Sequence, residues 1–200
     1  MSALAGNGGD VPRERHTREE EFIMKSVLFC ASALFGVSIV ACGQGGGRLI
    51  ESVVIGGKTI SINYSAPSVN GREGKLFGKD GRIGQDPNYP VWRAGANAAT
   101  AFHTDADLDM RGLQVPKGDY TLYVNLADPN NWELIMNKAT GQWGLTYDAS
   151  QDLGRVKMSM SKPPAMVEKL KYTLSRSDNN RGQLQLAWED HVASVPFTVK

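Results

Sequence analysis

The side chains best suited to binding a ligand gather in one short motif of the sequence. Trp92, Arg93 and Asn97 lie close together along the chain. An arginine fork donates paired hydrogen bonds to a carboxylate, and an indole offers a stacking face to a sugar ring. Alternatively, Arg93 and Asn97 satisfy the backbone of their own loop while Trp92 fills the edge of the core. Trp143 and Tyr147 form a second aromatic pair, predicted either as an exposed ligand platform or as packing at a sheet end.

Histidine and carboxylate side chains are the candidates for acid–base chemistry. His103 and Asp105 would share one face of a strand, as a general base with its partner or as two metal ligands. His191 is the one other histidine after the apolar segment, which argues against a histidine-rich zinc site. A solvated polar face is therefore the simpler expectation. Carboxylates that could support hydrolysis, although nothing pairs them in the sequence, are Glu133, Asp148 and Glu189.

Three alternating aspartates resemble the start of a calcium loop. Asp105, Asp107 and Asp109 have the spacing, but Met110 stands where such a loop requires glycine. We expect instead an exposed strand edge, where charge opposes edge-to-edge aggregation. The sequence holds no nucleophile elbow, phosphate-binding loop, dinucleotide fingerprint or zinc-protease motif, and we predict no metal and no cofactor.

The N-terminal part of the chain predicts export. Lys25 precedes an uncharged apolar run over 27–41, which is shorter than the roughly 20 residues of a spanning helix and typical of a signal peptide. The run ends in Ile-Val-Ala before Cys42, which resembles the bacterial lipoprotein signal, where the cysteine is lipidated and the chain is cut before it. We therefore predict a signal peptide over 24–41 and lipidation of Cys42. The alternatives are a plain signal peptide, or a short anchor helix with Cys42 as a bystander.

The flanks of the signal segment complete this prediction. Residues 1–23 are polar and charged, and we expect them to be an upstream extension that the native protein lacks. Residues 42–49 are glycine-rich and predict a flexible tether. Acyl chains on Cys42 would hold the protein at a membrane. Gly43, rather than aspartate, follows the cysteine, which resembles signals sorted to the outer membrane. The expected location is the cell envelope, facing the periplasm or the exterior.

Alternating apolar and polar residues indicate half-buried β-strands in the rest of the chain. The alternating stretches are 60–64, 120–126, 132–136, 156–160, 170–174, 184–188 and 195–199. The best helical candidate, 164–171, is two turns at most. We predict one all-β domain over 50–200, a single antiparallel β-sandwich with a jelly-roll-like arrangement. No cysteine follows Cys42, so the core alone must hold this domain.

The segment 67–99 breaks the alternation. It is long, polar and rich in glycine and proline, yet it carries Trp92 and Arg93. Long loops without regular structure are often functional. We therefore expect the binding surface here.

Several motifs resemble the bacterial family called domain of unknown function 2911. They are 64–72, 91–97, 113–123, 137–144, 147–148 and 186–189. The chain departs from the family pattern by extra residues over 79–85 and by Ala98, where an acidic residue is common. The resemblance implies an exported protein with one β domain and no established activity.

Taken together, these features predict a membrane-tethered envelope domain without enzymatic activity that binds a glycan or another small molecule. A net charge of +1 provides no bulk attraction for nucleic acid, so none is expected as a partner. One alternative is a hydrolase that uses carboxylates or His103 on envelope or imported polymers. Another is a structural envelope protein with all loop polar groups satisfied. A concave pocket with converging polar groups would separate these hypotheses.

Overall fold

The computed structural model describes residues 47–200, so the predicted extension, the signal peptide and Cys42 lie outside the described residues. Within this range no helix is long and apolar enough to cross a membrane. The strands are β1 (Leu49–Ile55), β2 (Lys58–Tyr64), β3 (Val91–Trp92), β4 (Thr100–Thr104), β5 (Leu108–Met110), β6 (Leu113–Val115), β7 (Gly118–Asn125), β8 (Glu133–Asn137), β9 (Asp152–Lys157), β10 (Ser159–Ser161), β11 (Val167–Arg176), β12 (Arg181–Glu189) and β13 (His191–Val199). Two 3₁₀ turns, Ile83–Gln85 and Ala149–Gln151, complete the regular structure of these residues.

The strands form two antiparallel sheets. The front sheet has the order β1-β2-β4-β7-β8-β9, with β3 also pairing with β7. The back sheet has the order β11-β12-β13-β5-β6, with β10 also pairing with β13. The buried residues of both sheets form one hydrophobic core. The predicted all-β fold with antiparallel sheets in a β-sandwich is confirmed.

Alternation explains why the front sheet has two different faces. In β2, Ile60, Ile62 and Tyr64 are buried, whereas Ser61 and Asn63 point the opposite way. A period of two therefore gives one core face and one polar face, as the sequence predicts. Every alternating stretch of the sequence coincides with one or two strands.

Two local predictions differ from the structure. The first strand, β1, begins at Leu49, inside the predicted tether. The best helical candidate, 164–171, is not a helix, because β11 begins at Val167. The amide of Leu170 donates to the carbonyl of Pro67 at 2.9 Å, and further pairs join β11 to β12. These long-range backbone bonds override the weak local helical preference.

An aromatic cluster fastens the long segment 67–99 to the core. The indole of Trp92 in β3 stacks on that of Trp188 in β12, with centroids 5.7 Å apart and planes 13° apart. The ring of Phe77 lies 5.0 Å from Trp132 and 4.5 Å from His191, and edge-on to both stacked indoles. Because these five rings come from both sheets and from the long segment, their packing joins all three parts.

We expect the substitution Phe77→Ala to lower the free energy of unfolding by about 2–3 kcal/mol, since it removes a ring packed on four others and leaves a cavity. Urea titration followed by fluorescence measures this loss. Met166→Ala is the control, because Met166 is 47% exposed and its truncation should change stability by less than about 0.5 kcal/mol. Equal stability of Phe77→Ala and wild type would contradict a fastening role for the ring.

Candidate functional site

The outer face of the front sheet, the face away from the core, brings polar residues of three strands into one row. In β2 and β4, Ser61 lies opposite His103 and Asn63 lies opposite Ala101. In β4 and β7, His103 lies opposite Asp119. Directly opposed residues of antiparallel strands point to the same side. The register therefore places Ser61, His103 and Asp119 side by side.

A covering loop, residues 138–148, shields only part of this outer face. The hydroxyl of Tyr123 in β7 donates to the carbonyl of Thr146 at 3.0 Å. The amide of Gln142 donates to the hydroxyls of Thr121 and Tyr123, each at 3.2 Å. Thr121 and Tyr123 are consequently buried although they point away from the core. The part of the sheet formed by β1, β2 and β4 stays uncovered by this loop.

A pocket of about 250 Å³ lies at the edge of the covering loop, beside Thr140. Its lining residues are Ser61, Asn63, Ala101, Phe102, His103, Asp119, Tyr120 and Thr140. Two hydroxyls, an amide, an imidazole and a carboxylate thus converge on one depression. Most of them stand on hydrogen-bonded strands, which hold side chains more rigidly than loops do.

His103 is held between two carboxylates. Its Nδ1 lies 2.7 Å from Asp119 Oδ1, and its Nε2 lies 3.1 Å from Asp105 Oδ1. Both contacts are hydrogen bonds when the ring is an imidazolium, which donates from both nitrogens. The hydrogen bonds to Asp119 and then to Asp105 raise the pKa of His103 above its usual range. The bond from His103 is also the main cause that lowers the pKa of Asp105.

This geometry favours a positioning role for His103 over a catalytic one. An imidazolium that donates to two carboxylates has no lone pair to accept a proton and no free N–H to give to a substrate. The formal charges of His103, its two carboxylates and the guanidinium of Arg48, which bonds to Asn63, sum to zero. A neutral ligand therefore suits the pocket.

The three alternating aspartates do not lie together on an exposed strand edge, so that prediction is wrong. Asp105 follows β4 of the front sheet, whereas Asp109 lies in β5, an interior strand of the back sheet. Each carboxylate is used locally: Asp105 accepts from the amide of Thr59, Asp107 from that of Lys117, and Asp109 from that of Gly112. The chain crosses between the sheets at this point and separates the three groups.

Trp92, Arg93 and Asn97 have three different environments. Trp92 is 2% exposed in the aromatic cluster, so its indole presents no stacking face to solvent. Arg93 lies 3.8 Å from the carboxylate of Asp86, and its Nε is buried without a hydrogen-bond partner. Asn97 is exposed and adopts a positive φ of 60°. Ligand binding by Arg93 and Asn97 stays a prediction.

Hydrogen bonds to backbone carbonyls around this motif connect the long segment 67–99 with β11 and with the covering loop. The carbonyl of Ala94 accepts from the hydroxyls of Thr100 at 3.0 Å and Tyr172 at 2.9 Å. The carbonyl of Asn97 accepts from the amide of Gly144 at 3.0 Å. A Cβ on Gly144 would lie 2.5 Å from that same carbonyl oxygen, so only glycine allows this approach. The motif thus docks the covering loop and β11 onto the long segment.

Trp143 and Tyr147 do not form one platform. Trp143 is 55% exposed, on the covering loop, where its backbone bridges to that of Ala98. Tyr147 is half-buried: its ring packs edge-on against Tyr123, and its hydroxyl donates to Asp152 at 2.7 Å. Burial and the bond to Asp152 raise the pKa of Tyr147 to about 12. Trp143 alone of this pair presents a large aromatic surface.

The candidate carboxylates serve separate structural contacts. Glu133 accepts from the amide side chain of Asn125 at 2.9 Å, and Asp148 caps a 3₁₀ turn through the amide of Ser150. Glu189 is 4% exposed, has a positive φ of 55°, and accepts from the amide of Gly74. These groups lie on different elements, and the described structure gathers no two of them at the pocket.

A second group of polar side chains lies at the turn between β12 and β13. Ligand atoms of Glu189, Asp190 and His191 lie within 4.8 Å of one another. The Nδ1 of His191 lies 2.6 Å from the carboxylate of Asp190, while its ring stacks on Trp132 at 5.0 Å. The stacking of His191 on Trp132 holds the turn against the aromatic cluster.

The fold and the site define the class of protein: a β-sandwich domain with a polar pocket on the outer face of one sheet. The chain belongs to the family described as "Protein of unknown function (DUF2911)", whose model matches residues 48–197. The resemblance found in the sequence is thereby confirmed. No curated protein and no solved structure matches the chain.

Sequence reasoning missed most of the pocket. Of the lining residues, it singled out only His103 as a candidate, paired with Asp105. Asp119, the other partner of His103, lies on a different strand, β7. The available signal was the polar set of each alternating strand, such as Ser61 and Asn63 in β2. That set shows which residues face outward, but the register decides which of them meet.

We expect an NMR titration to give His103 a pKa above its unfolded value of about 6.5. Protonated His103 then stabilises the fold fully below about pH 6.5, and this contribution is lost as the pH rises through the folded-state pKa. Asp119→Asn should lower the pKa of His103, since it removes the first of the two carboxylates. Asp107→Asn is the matched control and should leave it unchanged, because Asp107 bonds to Lys117 instead. A wild-type pKa at or below 6.5 would refute the double carboxylate contact.

Proposed function

We propose that this protein is a lipid-anchored envelope domain that binds a neutral glycan or a similar polyol in the pocket on the outer face of the front sheet. The observation that carries the proposal is the convergence of polar groups from three strands and one loop on a single concave site. Ligand sites are typically concave, with a few polar groups that fix orientation.

The chemistry of the lining favours hydroxyl-rich ligands. The hydroxyls of Ser61 and Thr140 both donate and accept, and the carboxylate of Asp119 accepts from sugar hydroxyls. The side-chain oxygen of Asn63 accepts from Arg48 at 2.6 Å, which leaves its NH₂ group to donate to a ligand. A neutral polyol matches this mixture of donors and acceptors and brings no charge of its own to the pocket.

The hydrolase alternative has less support. Hydrolysis with two carboxylates needs them on either side of one bond, at separations of roughly 5–10 Å. The carboxylates near the pocket, Asp105 and Asp119, both bond to His103. Ionised groups tied to a cation are poor proton donors, so neither is suited to act as the general acid.

We expect the substitution Ala101→Trp to weaken glycan binding by at least about tenfold, a loss of roughly 1.4 kcal/mol. Ala101 is exposed on the outer face within the pocket, so an indole there fills the site without entering the core. The measurement is binding of the full chain, in detergent, to an array of neutral and acidic oligosaccharides, followed by calorimetry on the sugars retained.

Val54→Trp is the matched control for that experiment. Val54 is also exposed on the outer face, in β1, but does not line the pocket. It should bind the same sugars within about twofold of wild type, a difference below roughly 0.5 kcal/mol. Retention of no oligosaccharide, or equal affinity of Ala101→Trp and wild type, would remove the support for this site.

Membrane attachment is the second part of the proposal and rests on the sequence around Cys42. Apolar residues over 27–41 and the Ile-Val-Ala sequence before the cysteine support lipidation there. Two acyl chains hold a protein at a bilayer stably, whereas one gives marginal binding. The glycine-rich stretch after Cys42 would connect the anchor to β1.

We expect the full chain to enter the detergent phase in Triton X-114 partitioning after expression in a Gram-negative host. A chain that carries Cys42→Ser behind a signal peptide cleaved without lipidation should enter the aqueous phase instead. Mass spectrometry of the wild-type N-terminal peptide should find acyl mass on Cys42. Cys30→Ser is the matched control, because Cys30 lies in the same apolar run but not at the lipoprotein signal. Absence of acyl mass on Cys42 of the wild type would contradict lipidation.

A further inference from the structure

The chain enters the domain at a fixed point on one end of the front sheet. The guanidinium of Arg48 donates to the side chain and the carbonyl of Asn63 in β2 and, at 2.9 Å, to the carbonyl of Ala99 just before β4. Three hydrogen bonds to two separate segments hold the residue that precedes β1. The residues between Cys42 and the domain therefore leave the fold at this end and no other.

Two large apolar side chains are exposed at the same end. Ile50, in β1, is 46% exposed and lies opposite Asn63, so it points to the outer face. Trp143 is 55% exposed, and its loop is joined to this end by the bridge to Ala98 and by the bond from the amide of Ala99 to Gln142. We call Arg48, Ile50 and Trp143 the tether end of the front sheet.

The short length of the tether limits how this end is oriented. Six peptide units separate Cys42 from Arg48 and reach about 21 Å at full extension, or roughly 13 Å as a flexible glycine-rich chain. A domain of this size has a radius of gyration of about 15 Å. The mean span of the tether is thus comparable to the domain's own radius of gyration, which keeps the end to which the tether is attached nearest the anchor.

We infer that the tether end contacts the bilayer, with Trp143 in the headgroup region and Ile50 beside it. This inference rests on the proposed lipid anchor at Cys42. Tryptophan favours the membrane–water interface, because its ring is apolar while its N–H can bond to water or headgroups. Aliphatic side chains add affinity where they dip below the headgroups. The contact turns the pocket, which borders the same end through Asn63, toward the membrane surface.

The fluorescence of Trp143 reports a bilayer contact, because the other three tryptophans are buried. Trp92, Trp132 and Trp188 are 2%, 1% and 4% exposed in the aromatic cluster, beyond the reach of a quencher in the lipid. The lipidated full chain is reconstituted in phosphatidylcholine vesicles with and without brominated acyl chains. We expect bromine to quench the Trp143 component of the fluorescence, which is defined by difference from Trp143→Phe. That component should also be protected from aqueous acrylamide at least twofold relative to a soluble chain that carries Cys42→Ser behind a signal peptide cleaved without lipidation.

A probe at the opposite end of the sheet is the control. Lys117 is exposed before β7, and its backbone bond to Asp107 does not need the lysine side chain. Lys117→Trp, in the Trp143→Phe background, should stay unquenched by brominated lipid. Ile50→Ser should reduce the acrylamide protection of Trp143 by about half or more while the chain still floats with the vesicles.

The possible outcomes of this experiment distinguish the bilayer contact of the tether end from the lipid anchor at Cys42. A chain that does not float with vesicles overturns the anchor and the contact together. A chain that floats, but whose Trp143 is unquenched or whose Lys117→Trp probe is quenched equally, overturns the contact alone. Protection of Trp143 in native membranes but not in pure lipid vesicles assigns this surface to a protein partner and also overturns the bilayer contact.

Discussion

The stacked indoles of Trp92 and Trp188 are the contact on which the rest of the structure depends. They join β3 of the front sheet to β12 of the back sheet, with centroids 5.7 Å apart. Without a disulfide after Cys42, a segment as long and polar as 67–99 is ordered only if it buries apolar surface. Trp92 and Phe77 supply that surface, and the polar groups of the segment then find their partners around it.

The order of the long segment extends to the outer face of the sandwich. Once Trp92 is buried, Ala94 and Asn97 are placed so that their carbonyls accept from Tyr172 and from Gly144 of the covering loop. The loop in turn buries the hydroxyls of Thr121 and Tyr123. Its edge forms one wall of the pocket at Thr140. The core contact and the polar site are thus linked through a continuous series of packed and hydrogen-bonded groups.

The pocket is built from rigidly held polar groups. His103 bonds to two carboxylates and so keeps Asp119 in place, rather than acting as a base that exchanges protons during turnover. Uncovered polar residues on one side of a sheet are ordinary, but here they form a concavity close to Arg48, the residue before β1. Arg48 bonds to Asn63, a lining residue, so the start of the domain and the pocket are neighbours.

The local pattern of the sequence determined much of this protein. The period of two in stretches such as 60–64 and 184–188 predicted the strands and the face that each one buries, because alternation follows from strand geometry alone. The best helical candidate, 164–171, contributes to β11 instead, because pairing with the segment around Pro67 outweighs a weak local preference. The motif around Trp92 was recognised as special, but residue type alone left open whether the indole faces a ligand or fills the edge of the core.

Only the tertiary structure decided which polar residues meet. Ser61, His103 and Asp119 stand on strands far apart in the chain, and their proximity depends on the register of β2, β4 and β7. A shift of that register by one residue would turn each outward set toward the core, and no local pattern specifies which residue lies opposite which. The sequence therefore determined the faces of the sheets, and the pairing of distant strands built the pocket on one of them.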